Sequence, residues 1–422
     1  MLGSVSRYLL GVCAALGLVG CTQLGLRYAS LNTERPPAAA PLITANSLAE
    51  WDASKPALRA LFAEHVYGTW PEGLAVTIGE TRVADADYLE GRGRLEETVI
   101  RLGTGEGARV FTLAVAYPYA ADQASSDRPA AMPVVIGQTF SDNCFTFRSP
   151  ALTNRQGLPC TNTEMSGFGG WAAVQILGRY IAKAPIEDYF DRGIAYANFY
   201  AGQIVPDQAE AGEAVMQGLR TEPGITASSA LSYWGYGYSA AIDMLQADTR
   251  IDPDRIGIWG HSRHGKSALV AAAWDERIKL VLAHQSGFGG AALSRSEVGE
   301  RIDRVVRTYP HWFTPAFVPF SKAPETLPVD QHQLLALLAP RPVFLGNGRR
   351  DVWSDPNSTY RAAEAADKVY ELYGKAGLDQ AGLKQFNPAA ELGFHMRAGA
   401  HGTTPEDITA LFEFIDAHWP RN

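Results

Sequence analysis

Arg255-Ile256-Gly257-Ile258-Trp259-Gly260-His261-Ser262-Arg263-His264-Gly265-Lys266, running on into Ser267-Ala268-Leu269-Val270-Ala271-Ala272-Ala273-Trp274, is the stretch that decides the fold. The apolar run Arg255–Trp259, opened by the turn signal Asp252-Pro253-Asp254, predicts a buried strand, and the alanine-rich run Lys266–Trp274 predicts the helix that follows. Ser262 falls on the turn between them. A serine there is forced outward by the sharp backbone, beside a helix N-terminus whose free N–H groups stabilise negative charge on a nearby oxygen. The spacing is G-x-S-x-x-G rather than the common G-x-S-x-G, and serines flanked by glycines also occur by chance, so partners elsewhere in the chain must carry the rest.

Upstream, the pattern predicts an amphipathic helix around Leu58–His65. Alternating runs near Leu74–Val83, Glu97–Leu102 and Arg109–Ala116 suggest an antiparallel entry to a sheet. Pro133–Gly137 and Gly193–Asn198 are continuously apolar and predict core strands. Between them, residues 140–185 are poorly patterned and read as an insertion near the site; Phe140, Phe145, Phe147, Phe168 and Trp171 either line a cleft there or form its core. Helical periodicity returns in Leu231–Gln246. Downstream come strands at Lys279–His284, Pro342–Gly346 and Leu392–Met396, with helices near Tyr360–Tyr373 and Pro405–His418. Strands alternating with helices give a mostly parallel central sheet flanked by helices on both sides, an α/β three-layer sandwich.

A serine hydroxyl is a weak nucleophile at neutral pH and needs a base. The order serine, acid, histidine is available here. His401, in Arg397-Ala398-Gly399-Ala400-His401-Gly402, follows a strand and precedes the last helix, where loops emerge at the carboxyl edge of a parallel sheet. His418 on the terminal helix and His332 before a leucine run read as packing or surface residues, and His395 as a strand residue facing into the sheet. For the acid, Asp351 follows the strand Pro342–Gly346 and the turn Asn347-Gly348; Asp355, next to Pro356, reads as a turn or helix-cap residue.

The chain has 422 residues, 46% of them hydrophobic, enough for a large core, and a formal net charge of −8 without a basic run, which argues against nucleic acid as a partner. Arg7 and the apolar stretch Tyr8–Gly17 are too short to span a membrane. Leu18-Val19-Gly20-Cys21 resembles a lipoprotein cleavage site that would leave Cys21 lipid-bearing; an ordinary secretory signal is the alternative. Thr22 after that cysteine favours the outer membrane. Either reading exports the protein, as an outer-membrane lipoprotein or to the periplasm or medium, with any membrane contact made through the lipid anchor. Residues 1–21 then form the signal peptide, 22–45 a Pro/Ala-rich linker, and 46–422 one catalytic domain. Of the later cysteines, Cys144 and Cys160 are candidate disulfide partners in an oxidising compartment. No H-E-x-x-H or C-x-x-C pattern suggests a metal.

Gly260–Lys266, Ser286-Gly287-Phe288-Gly289-Gly290-Ala291-Ala292-Leu293, the run from Leu327-Pro328-Val329-Asp330-Gln331-His332 through Ala339-Pro340-Arg341-Pro342, and Asp351-Val352-Trp353 resemble the bacterial glucuronoyl esterases, carbohydrate esterase family fifteen. The likeness spans about residues 125–420. It implies an α/β-hydrolase fold without metal or other cofactor. The implied reaction cleaves, through an acyl-enzyme, the ester joining glucuronic acid of glucuronoxylan, often 4-O-methylated, to a lignin alcohol. It implies Ser262 as nucleophile, His401 as base, Asp351 as its orienting acid and Arg263 as a donor to the oxyanion. Lys266, Glu300 and Trp353 would contact the uronate. One position departs: where fungal and some bacterial relatives carry a carboxylate after the next strand, this chain has Gln285, so the acid role is expected to rest on Asp351 alone. The alternatives are another carbohydrate carboxylesterase, such as a xylan acetyl esterase, or a carbohydrate-binding lipoprotein without turnover. A peptidase is disfavoured, because Arg263 and Lys266 put cations where an apolar side-chain pocket would be needed.

Overall fold

Among the described residues, nine strands form one sheet. A computed structural model describes residues 43–420 apart from 120–130, 165–169, 171–173, 175–176, 223–224 and 226. The lipidation expected at Cys21 and the contacts expected of Phe168 and Trp171 therefore fall outside the described residues. β1 (Val76–Asp87), β2 (Gly93–Leu102) and β3 (Arg109–Pro118) form the expected antiparallel entry. β3 also pairs antiparallel with β5 (Ala195–Tyr200), and from there the sheet is parallel through β4 (Met132–Thr139), β6 (Ile251–His261), β7 (Leu280–His284), β8 (Val343–Gly348) and β9 (Leu392–Arg397). The strand β6, which leads into Ser262, begins at Ile251 and so includes Asp252-Pro253-Asp254, which the sequence suggested as a turn ahead of it.

Period-two alternation divides the parallel strands between two cores. Ile256, Ile258, Val281, Ala283, Val343 and Leu345 pack with the helices Leu48–Phe62, Ala230–Gln246, Arg263–Trp274 and Pro356–Leu372. Trp259, Leu280, Leu282 and Phe344 face the other way, against Phe412, Phe414 and Ile415 of the helix Pro405–His418. Each fully buried Leu, Ile, Val or Phe contributes about 1.5–3 kcal/mol, so a slip by one residue would invert both faces at once. This two-sided burial makes the strands continuous apolar runs in sequence.

Cys144 and Cys160 are joined, with Cα atoms 5.7 Å apart. The bridge closes a loop following β4, and a loop near this length is worth about 3 kcal/mol in the chain-entropy view. Of the aromatic residues in this stretch, Phe147 is in the core against Tyr196, whereas Phe140 leaves β4 toward the serine turn, its ring 4.5 Å from that of His264.

Candidate active site

Ser262 has φ 58° and ψ −123°, a conformation in which an L-residue is strained. Such strain, of order 1–3 kcal/mol, persists only where surrounding structure enforces it. Here Ser262 N–H donates to His284 O at 2.8 Å, tying the turn to β7, while Gly265 and Lys266 N–H donate to Ser262 O at 2.9 and 3.1 Å. A Cβ on Gly260 would lie 2.1 Å from His264 O, so strand and helix backbones touch at this point. A Cβ on Gly265 would lie 3.1 Å from both Gly260 O and Ser286 Cβ, which places the second glycine of the motif at 265. Glycine is required at 260, but residue 264 contributes only its backbone, leaving its imidazole free to bond Gln138 Oε1 through Nδ1 at 2.9 Å. Burial, and after it the charge of Arg263, push the His264 pKa down to about 3, so the ring is neutral.

Parallel register brings the loops after β6, β7, β8 and β9 to one edge: His261 pairs with His284, His284 with Gly346, and Gly348 with Arg397. From the loop after β8, Asp351 Oδ2 accepts a bond from His401 Nδ1 at 2.7 Å, and its Oδ1 accepts from Ser354 N–H at 3.3 Å. Asp351 is fully buried and His401 about a quarter exposed. Burial alone would raise the Asp351 pKa, but attraction to His401 and the bonds from His401 and Ser354 hold it below the usual carboxylate value. The His401 ring lies 4.6 Å from that of His261, the residue preceding Ser262. The rivals are placed elsewhere. Asp355 caps the helix Pro356–Leu372, accepting from Ser358 N–H at 3.2 Å; His395 is wedged between Phe344 and Phe386 on β9; and His418 bonds Ala390 O.

Gln285 is occupied with the His401 loop. Its Nε2 donates to Ala400 O at 3.2 Å and its Oε1 accepts from Gly402 N–H at 2.8 Å, bracketing the histidine on both sides. A neutral amide can do both; a carboxylate could not donate.

Arg263 opens the helix Arg263–Trp274, where its backbone N–H has no intrahelical acceptor. Its guanidinium pairs with Asp207 and sits among the rings of Trp312, Tyr309 and Phe140, with centroids 4.9, 5.4 and 5.5 Å away. The Nε–H is buried and unpartnered among the described residues. Asp207 also accepts from Trp312 Nε1 at 2.8 Å and His311 Nε2 at 3.0 Å. Its own burial opposes ionisation, but His311, Arg263 and Trp312 together hold its pKa well below the ordinary value. Asp207 was not legible as a site residue: it lies 56 positions from Arg263 without a local motif.

Lys266, Glu300 and Trp353 form one connected unit. The Lys266 ammonium donates to Ser286 O at 2.9 Å, Phe288 O at 2.6 Å and Glu300 Oε2 at 2.7 Å, and is 3% exposed. Three bonds use its three hydrogens. Trp353 Nε1 donates to Glu300 Oε1 at 3.1 Å, while its ring is among the exposed large side chains. The structure therefore makes Lys266 the buried support of Glu300 and leaves Trp353 as the face open to solvent. Among the described residues, no group of three or more His, Cys, Asp or Glu side chains is arranged to hold a metal ion, and no helix is long and apolar enough to cross a membrane.

A family model described as "Glucuronyl esterase, fungi" matches residues 163–374, half of the chain. Carbohydrate esterase MZ0003, from an unknown prokaryotic organism, is 31% identical over 379 residues, covering 88% of this chain and 86% of that protein. The 4-O-methyl-glucuronoyl methylesterase of Podospora anserina is 31% identical over 234 residues, 53% of this chain and 47% of the fungal protein. Among solved structures, a glucuronoyl esterase from Solibacter usitatus superposes with a TM-score of 0.74 at 27% identity, covering 93% of this chain and all of that one. With this fold, and with likeness over nearly the whole length of a carbohydrate esterase, the chain belongs to the glucuronoyl esterase family, carbohydrate esterase family fifteen, of the α/β-hydrolases.

Proposed function

We propose that this protein is a serine esterase that hydrolyses the ester between glucuronic acid, with or without a 4-O-methyl group, and a lignin alcohol, on glucuronoxylan. The observation that carries this reading is the His401–Asp351 bond, 2.7 Å long, at the sheet edge that also holds the strained Ser262 turn. Ser262 attacks the uronoyl carbonyl as His401 Nε2 takes its proton; Asp351 fixes the tautomer with Nδ1–H and stabilises the imidazolium. The Arg263 backbone N–H and guanidinium stabilise the oxyanion, a contribution of about 2.7–4 kcal/mol per donor in hydrolases of this kind. His401 then returns the proton to the departing alcohol, and water, activated by the same imidazole, cleaves the acyl-enzyme. Glu300 and Trp353 meet the sugar, Glu300 through hydroxyls and Trp353 along a face. No resident cofactor enters this scheme.

The reading extends to the whole chain as residues 1–21 acting as an export signal, Cys21 as lipid attachment point and 46–422 as the catalytic unit. The substrate assignment is tested by comparing benzyl glucuronate with p-nitrophenyl acetate. Faster turnover of the uronate ester, lost in Ser262→Ala, is expected. Preference for the acetate would indicate a different carboxylesterase, and uronate binding without alcohol release a carbohydrate-binding protein.

A further inference from the structure

A second chain of titratable groups runs under the site and takes no part in the scheme above. Asp407, at the start of the helix Pro405–His418, accepts from Arg397 Nε and bonds His284 Nε2 at 2.9 Å; His284 Nδ1 lies 2.8 Å from His261 Nδ1. All four side chains are 1–3% exposed. The tautomers follow from the partners. A carboxylate can only accept, so a neutral His284 carries its hydrogen on Nε2 and presents a lone pair at Nδ1. Across the 2.8 Å contact His261 must then donate from Nδ1, which leaves Nε2 as a bare lone pair. That atom is buried and unpartnered among the described residues. An unpaired buried acceptor costs about 1–3 kcal/mol, and this one belongs to the ring 4.6 Å from the His401 imidazole.

We propose that His261 is a positioning residue for the reaction: its Nε2 lone pair, fixed in place by the Asp407–His284 chain, stabilises the positive charge that His401 acquires when it takes the Ser262 proton. This rests on the assignment of His401 as the base. The groups facing His401 are Asp351 and Ser354 from the loop after β8 and His261 from β6; those facing His261 are His284, His401, His264, Phe140 and, further off, Arg397. Burial first, and then these neighbouring groups, push the His261 pKa far down, so its ring is neutral.

The test is the titration of the His401 imidazole followed by NMR in the whole protein, with His261→Phe and His261→Gln beside the unsubstituted chain. Phenylalanine keeps the ring volume and removes the lone pair; glutamine keeps a donor and an acceptor. The midpoint for His401 should fall by about half a unit to one unit in His261→Phe, since loss of a favourable partner disfavours the charged form, and should fall less in His261→Gln. The acid limb of kcat/KM should move the same way. If His261→Phe does not fold, His261→Gln is read alone and should still show a smaller downward shift. An unmoved or raised midpoint in the variant that folds would overturn the proposal, whatever its stability. The NMR readout needs no turnover, so a wrong substrate assignment would leave it intact, whereas an inactive protein with a shifted midpoint would count against the proposed function only.

Discussion

Three Asp–His pairs occur among the described residues, and the contrast among them shows what sets the proposed catalytic pair apart. In Asp407–His284 and Asp207–His311 the carboxylate is shared with an arginine, Arg397 and Arg263 respectively, and the histidine is about 2% exposed. In Asp351–His401 the carboxylate is buried with no arginine on it among the described residues, and the histidine is about a quarter exposed. A carboxylate already neutralised by a guanidinium has little left to stabilise an imidazolium, and a buried imidazole cannot meet substrate. Distance does not separate the three, since their N–O separations are 2.7, 2.9 and 3.0 Å. What separates them is who else holds the acid and whether the base reaches solvent.

The largest effect should come from breaking the proposed catalytic pair. Asp351→Asn is expected to lower kcat by about 10⁴-fold with the melting temperature little changed, because the amide permits the wrong tautomer; steady-state kinetics on benzyl glucuronate with a parallel thermal scan checks both. The same substitution in the buried pair should act on folding instead. Asp407→Asn leaves Arg397 partly uncompensated and should cost about 3–5 kcal/mol of stability by denaturant titration. Burial raises the Asp407 pKa, but His284 and Arg397 more than offset this and hold it low. Its stabilisation is therefore complete above its unfolded value of about 3.9 and is lost as pH falls toward its folded one. Asp407→Asn should accordingly flatten the acid side of the stability curve.

The third pair distinguishes support from chemistry. Arg263→Ala should lower kcat by about 10²–10³-fold with KM nearly unchanged, as for the loss of an oxyanion donor. Asp207→Asn keeps the arginine but loosens it, and should lower kcat by about tenfold, with Arg263→Ala/Asp207→Asn no worse than Arg263→Ala alone. Additive losses would mean that Asp207 acts independently of Arg263. The smallest change expected is for Gln285→Ala, which removes two neutral hydrogen bonds from the His401 loop and should cost about 1 kcal/mol each at most, read as a rise in exchange of the Gly402 amide and a few-fold fall in kcat.

Much of this arrangement was legible in order and pattern. The strand–Ser262–helix stretch, the antiparallel entry, the parallel strands and the succession Ser262, Asp351, His401 all follow from local periodicity and from where loops leave a parallel sheet. What was not legible depends on contacts between distant segments. Arg263 to Asp207, His284 to Asp407 and Gln285 to Gly402 span 56, 123 and 117 positions, and neither Asp207 nor Asp407 sits in a motif. Lys266 shows another limit. A lysine one turn into a helix reads as a cation reaching outward, and only tertiary packing reveals its burial among two carbonyls and Glu300. The exchange of β4 and β5 in the sheet was equally hidden, since both strands are continuously apolar.

The claim on which the account turns is that His401 activates Ser262. The direct measurement is the rate of covalent labelling by a fluorophosphonate, with the modified residue located by mass spectrometry, in the unsubstituted protein and in His401→Ala. Stoichiometric labelling of Ser262 that slows by about 10³-fold or more without the imidazole is expected, because the hydroxyl alone is a weak nucleophile. Labelling of Ser262 at an equal rate in His401→Ala, or labelling at another serine, would contradict it.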